Sequence, residues 1–275
     1  MNTKGSQSSV EIIHPWGKSE FKIRYALFDF DGTISLIREG WQDIMIPYFC
    51  EILRDTNTSE TCWEIKETVK RFVTDLTGKQ TIFQCIRLDE EVTKRGGPKR
   101  DPITYKREYL RRLELHIKDR KVRLAAGTLD PEEYLVPGSR RFLTILQSCG
   151  IKCYLASGTD EADVLYEAKL LGIENMFEGG IHGAHDAMTE CSKELVIRSM
   201  LQNEHIRPEE LVSFGDGYVE VELVANLGGL AIGAATEEKK RSGINEWKRS
   251  RLIAAGARAI IQDFVDSKAV YGLIY

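Results

Sequence analysis

The chain has 275 residues, 42% of them hydrophobic, an ordinary composition for a folded globular protein of one large or two modest domains. A formal charge of -4 offers no bulk attraction to nucleic acid or to a membrane surface, and no apolar run approaches the roughly 20 residues that span a bilayer. The opening M-N-T-K-G-S-Q-S-S-V lacks a signal-peptide core, and Cys50, Cys62, Cys85, Cys149, Cys153 and Cys191 show no C-x-x-C spacing; buried free thiols in a reducing cytoplasm are expected, without disulfides or a zinc site.

Val10-Glu11-Ile12-Ile13 is expected to add a strand beside the first core strand, which the apolar run at residues 23–30 predicts. Apolar residues at three-to-four spacing then predict helices over 40–54, 59–76, 81–94 and 102–126, with Tyr105, Tyr109, Leu113 and Ile117 forming one stripe. Breaks fall at Thr77-Gly78, Gly96-Gly97-Pro98 and Ala126-Gly127-Thr128. After Pro137-Gly138 the texture changes. A helix over 139–149 leads to a strand over 151–156 that runs into Ser157-Gly158-Thr159, and a helix over 161–171 follows. Beyond a Gly-rich loop come a helix over 192–203, a strand over 211–214 ending in Gly215-Asp216-Gly217, a helix over 219–226, a strand over 230–234, a helix over 245–255 and a short strand over 259–261. Strands alternating with helices imply an α/β fold with a Rossmann-like parallel sheet. Residues 1–35 and 136–275 are expected to form this core, with residues 36–135 inserted as a helical domain.

The chemistry gathers at the predicted strand ends, where parallel α/β sheets bind ligands. The first strand ends in F-D-F-D-G-T. Alternation sends Asp29 and Asp31 to the same side, and Gly32 permits a sharp turn. Two crowded carboxylates repel unless a cation or proton lies between them, although a bare D-x-D-G is also an ordinary turn. Ser157 and Thr159, Asp216, and Lys193 at a helix start are the other capable groups. A carboxylate can attack phosphorus to give an aspartyl-phosphate, and Mg²⁺ would keep the acids ionised while bridging to a phosphate oxygen. A hydroxyl and helix-start N–H groups can hold phosphate oxygens, and a lysine can neutralise the remaining charge. Each piece has a plainer reading: Ser157 with Asp160 as a helix cap, Lys193 as a surface lysine, Gly215-Asp216-Gly217 as a turn.

Taken in order, D-F-D-G-T at 29–33, A-S-G-T at 156–159, S-K-E-L at 192–195 and G-D-G-Y-V-E at 215–220 resemble the four motifs of the haloacid dehalogenase (HAD) superfamily of phosphohydrolases. The resemblance implies Asp29 as nucleophile and Asp31 as general acid/base. It implies Ser157 as phosphoryl holder and Lys193 as its cationic partner, with Mg²⁺ bound by Asp29, Asp216 and the backbone carbonyl of Asp31. At the last position of the fourth motif this chain has Glu220 where the family commonly has Asp, with Glu222 close by as the other candidate to support the metal. Asp31 sets the chain apart from dehalogenases, phosphonate-cleaving members and ATPase pumps, and Thr33 leans toward hydrolysis over mutase chemistry.

Residues 36–135 match the place of a C1-type helical cap. Its loop at Leu76-Thr77-Gly78-Lys79-Gln80-Thr81 is the local match to the family's substrate loop, which makes Lys79 and Gln80, with Thr33 and Gly158, the expected substrate contacts. Residues 87–123 hold 13 Lys/Arg against 7 Asp/Glu. Tyr105-Lys106-Arg107 and Arg111-Arg112 would either attract an acidic group or form a solvated face. His182 and His185 have H-x-x-H spacing but no further ligands nearby. The expected activity is that of a cytoplasmic, Mg²⁺-dependent phosphatase acting on a small phosphorylated metabolite, a sugar phosphate or nucleotide, with no nucleic-acid or membrane partner. The alternatives are a phosphomutase of the β-phosphoglucomutase type and a non-catalytic binding protein.

Overall fold

Hydrophobic alternation along the central strand organises the protein. In a computed structural model, which describes residues 9–17, 19–185, 192–203 and 205–275, β1 (Val10–Ile12) and β2 (Tyr25–Phe28) precede four helices: α1 (Trp41–Arg54), α2 (Cys62–Asp75), α3 (Thr81–Lys94) and α4 (Pro102–Ala125). The chain then alternates through α5 (Ser139–Ser148), β3 (Lys152–Asp160), α6 (Glu161–Leu170), β4 (Ile181–Ala184), α7 (Ser192–Asn203), β5 (Leu211–Gly215), α8 (Tyr218–Leu227), β6 (Leu230–Ala234), α9 (Glu246–Ala254), β7 (Ala259–Ile261) and α10 (Ser267–Tyr271). The sheet order is β1-β7-β6-β5-β2-β3-β4, with every pair parallel except β1 against β7. Ala26 and Phe28 pack on one face with Phe142 of α5, Val164 of α6 and Phe264. Leu27 packs on the other with Ile197 of α7, Val224 of α8 and Leu252 of α9. Phe28 and Phe214 of the central strands meet Phe142 and Phe264 in one aromatic cluster, with stacked and edge-to-face pairs.

Helices α1 to α4, inserted between β2 and α5, stand where the cap is expected. Asp101 caps α4 by accepting the Ile103 amide, Pro102 occupies the first turn, and Thr61 with Glu64 forms a capping box on α2. The stripe of Tyr105, Tyr109, Leu113 and Ile117 is buried as its spacing demands.

Three expectations are corrected. Residues 10–12 do form a strand, but it pairs with β7 at the sheet edge (Val10↔Ile261), because both edges of β2 are taken by β3 and β5. The stretch read as a Gly-rich loop contains β4, whose composition of Ile, His, Gly and Ala carries no strand signal; it gains its structure from β3, with Ala156↔His182 in register. The cysteines are not uniformly buried: Cys85 and Cys153 are, Cys62 and Cys149 are exposed, and Cys191 lies outside the described residues. Among the described residues no helix is long and apolar enough to cross a membrane.

Candidate active site

The parallel strands β2, β3 and β5 deliver their polar ends to one cavity of about 90 Å³, and the cap closes it from above. Asp29, Asp31, Ser157, Gly158, Lys193 and Asp216 line it from the core, with Lys79 from the cap loop. Asp29 continues β2, its amide donating to the Phe214 carbonyl at 2.9 Å. The turn after it depends on Gly32, whose φ of 76° suits glycine and where a Cβ would run into the Asp216 carboxylate. Thr33 fastens this turn to the end of β5 by accepting the Asp216 amide on its hydroxyl at 2.9 Å. That hydrogen bond, and full burial, set Thr33 behind the cavity wall and not on it.

Asp29, Lys193 and Glu220 form a buried triplet. The Lys193 ammonium stands 2.8 Å from Asp29 Oδ1 and 2.6 Å from Glu220 Oε2, with 1% of the lysine exposed. The Phe30 amide also donates to Asp29 Oδ1, at 2.8 Å. Burial pushes the Asp29 carboxyl well above the ordinary range against the pull of Lys193, and burial likewise raises Glu220. Desolvation opposes the charge on Lys193, but the two carboxylates outweigh it and hold the ammonium protonated. Lys193 is therefore no surface lysine. Glu220 serves as its second anchor, whereas Glu222 on the same helix is exposed.

Asp31 is held differently. Thr159 donates to its Oδ2 at 2.7 Å and Ser157 at 3.4 Å, while Oδ1 has no hydrogen-bond partner and lies 4.0 Å from the Arg38 guanidinium. Burial raises its pKa against Arg38 and Thr159. Ser157 does not cap a helix. It lies within β3, its hydroxyl accepting the Thr159 amide at 3.0 Å, and the N-cap of α6 is Asp160.

The cap loop reaches into the core. Gly158 lies so close to it that a Cβ would stand 3.0 Å from the Lys79 carbonyl oxygen, and one at Gly78 would stand 3.1 Å from the Gly217 Cα. Lys106 of α4 crosses to Asp160 at 2.6 Å, and Arg251 of α9 donates to the Thr74 carbonyl at 2.7 Å. Lys79 lines the cavity; Gln80 is buried and does not, and Gln84 one turn later does. Trp41, Met45, Tyr109 and Leu113 give the cap side of the cavity an apolar wall.

Sequence reasoning missed Arg38, which is buried in the linker between β2 and α1 and bonds Glu167 at 2.8 Å and Asp163 at 2.9 Å. It missed Gln84, Tyr109 and Lys248 as well; only tertiary contact brings them here. The other motifs lie elsewhere. Arg111 and Arg112 each bond Glu108 at 2.8 Å, and Arg112 also bonds Glu51. His182 lies in β4, and His185 stands 3.3 Å from Glu161. Among the described residues no three His, Cys, Asp or Glu side chains converge as a ready-made metal cage. The cavity instead offers hard oxygen donors from Asp29 and Asp216; with Asp31 they face Lys193, Arg38 and Lys79 across it, while Glu220 pairs with Lys193, and Lys248 with Asp216 and Glu238, outside its lining. Such a site suits a divalent cation that keeps some of its water.

A family model of haloacid dehalogenase-like hydrolases matches residues 23–228, three-quarters of the chain, across all four of these strand and helix ends. The chain belongs to this family. No curated protein matches it significantly. Solved HAD structures share the fold at low identity. A β-phosphoglucomutase from Clostridium difficile is 13% identical with a TM-score of 0.61, the match covering 92% of this chain and 96% of that one. CbbY from Rhodobacter sphaeroides, in complex with xylulose-(1,5)bisphosphate, is 17% identical with a TM-score of 0.57, covering 89% and 96%. A phosphonoacetaldehyde hydrolase-like protein from Oleispira antarctica is 14% identical with a TM-score of 0.61, covering 92% of each chain. This HAD chain thus has the family's α/β core with the helical insertion of a C1 cap.

Proposed function

We propose that this HAD protein is a Mg²⁺-dependent phosphomonoesterase that works through an aspartyl-phosphate on Asp29, with residues 36–135 as its cap. The observation that carries the reading is the division of labour between two buried aspartates one residue apart: Asp29 is paired with a lysine at 2.8 Å, and Asp31 is hydrogen-bonded only by hydroxyls. Burial raises both carboxyls; at Asp29 it is opposed by the bonded lysine, which favours the nucleophilic carboxylate once a cation shares the site, whereas Asp31 is left able to carry a proton. An Asp29 oxygen attacks phosphorus, and the bond to the leaving oxygen breaks. Asp31, whose Oδ1 makes no hydrogen bond, carries the proton and gives it to that oxygen. Asp31 then takes a proton from the water that attacks phosphorus, and the bond to Asp29 breaks.

Ser157 and Lys193 hold the phosphoryl oxygens through this exchange, and the Gly78–Gln80 loop excludes bulk water. Mg²⁺ would be held by Asp29, Asp216 and the backbone carbonyl of Asp31, where it supplies charge neutralisation to acids that otherwise resist ionising together. The small cavity and its apolar cap wall favour a small phosphoester with a partly apolar leaving group, and Lys79 is placed to meet an additional polar or anionic group on it.

A panel of phosphorylated metabolites, scored for free phosphate and for isomer formation, tests this. Release of phosphate with Mg²⁺, lost in Asp29→Asn, supports a phosphatase. Isomer formation without net release would replace it with a phosphomutase, and no turnover of any ester would replace it with a binding role.

A further inference from the structure

A second buried lysine stands on the far side of the acidic cluster from Lys193. Lys248 lies in the first turn of α9, where Asn245 caps the helix by accepting the Lys248 amide at 3.1 Å and so fixes where the side chain starts. Its ammonium lies 2.6 Å from Asp216 Oδ2 and 2.6 Å from Glu238 Oε1. The lysine is 7% exposed. Asp216 lines the reaction cavity and also a second cleft of about 160 Å³ beside Glu39 to Asp43. Lys248 and Glu238 line that cleft but not the reaction cavity, among the described residues.

We propose that Lys248, drawn back by Glu238, is a positioning residue that sets how strongly Asp216 binds the divalent cation. This rests on the reading above, in which Asp216 holds that ion. A carboxylate that shares one oxygen with an ammonium offers less charge to a metal on the other, and the ammonium itself repels a cation nearby. It also fixes the plane of the carboxylate, as partners behind metal ligands do. Glu238 competes with Asp216 for the same ammonium and so weakens that restraint. Lys248 and Glu238 therefore act on metal affinity in opposite directions. Two residues that merely held α9 in place would act in the same direction.

Mn²⁺ serves as the probe. Its binding to the substrate-free, full-length protein is read from the loss of the free-ion EPR signal, with melting temperature and near-UV circular dichroism measured in parallel. Lys248→Met leaves Asp216 and Glu238 uncompensated and is expected to tighten Mn²⁺ binding by about tenfold or more. Glu238→Gln leaves Lys248 wholly to Asp216 and is expected to weaken it by several-fold, on the order of threefold to tenfold. Lys248→Gln keeps a hydrogen-bond donor without the charge. It is expected to tighten binding too, and it serves if the methionine variant does not fold. Wild-type binding that Asp216→Asn weakens, combined with Lys248 variants that bind no tighter than wild type, overturns this proposal alone. Wild-type protein that binds no Mn²⁺, or binds it equally well as Asp216→Asn, overturns both this proposal and the catalytic reading beneath it.

Discussion

Two surfaces of the cap differ sharply: one meets the core and the other does not. The loop from Thr77 to Gln80 has one charge, Lys79, yet it fits between Gly158 and Gly217 at backbone contact distance. The outer face of α4 lies in the basic stretch 87–123, and its arginines bond carboxylates of the cap: Arg111 with Glu108, Arg112 with Glu108 and Glu51. Of the Tyr105-Lys106-Arg107 stretch, Lys106 alone leaves the cap surface and reaches the core, at Asp160. Charge density along a sequence thus pointed at the less informative surface. A glycine that admits a neighbouring backbone is the better marker of where cap and core meet.

Substitutions across these regions can break the comparison. The reference is Asp29→Asn, which should lower turnover of p-nitrophenyl phosphate at least about a thousandfold with an unchanged melting curve; a fold defect or residual full activity would undo the assignment. Next is Lys193→Met, which leaves Asp29 and Glu220 buried without their cation. It should cost about 3–5 kcal/mol of stability by denaturant unfolding and about a hundredfold or more in kcat.

Gly158→Val tests the loop contact directly. Its φ is not in the left-handed region, so the strand tolerates the residue, but the side chain would displace the Lys79 carbonyl. We expect kcat/KM to fall about a hundredfold with little change in melting temperature, because a shift of about 1 Å at closure is costly. Lys106→Met should lower kcat/KM only about threefold and reduce its dependence on salt, since Asp160 is partly exposed. Arg111→Ala should change stability by under about 0.5 kcal/mol and leave turnover alone. If the last variant proved more damaging than Gly158→Val, the ranking of the two surfaces would be reversed.

The same contrast explains what could be read from the sequence. Asp29, Asp31, Ser157 and Asp216 were legible because each follows an apolar run of strand character, and Lys193 because it opens a helix in the right order. The parallel sheet followed from strands alternating with helices. β4 was not legible: Ile-His-Gly-Ala becomes a strand only through its ladder with β3. The partner of β1 was missed because an edge strand's neighbour depends on which edges remain free after the sheet is assembled. Arg38 lines the cavity and Lys248 bonds Asp216 from outside it, with nothing in their local sequence to mark them; Tyr109 read only as part of a helix stripe. Glu220 and Glu222 were not told apart by sequence; helix geometry turns the first onto Lys193 and the second to solvent.

The central claim is that phosphate passes through a covalent bond to Asp29. Its most direct test is rapid acid quench of the protein during turnover with Mg²⁺ and a cleaved phosphoester, followed by mass spectrometry of the peptide that carries Asp29. The account predicts a hydroxylamine-labile phosphoryl adduct on that aspartate, formed fast enough to account for turnover and missing from Asp29→Asn. Steady turnover with no such adduct at any quench time, or an adduct on another residue, would contradict it.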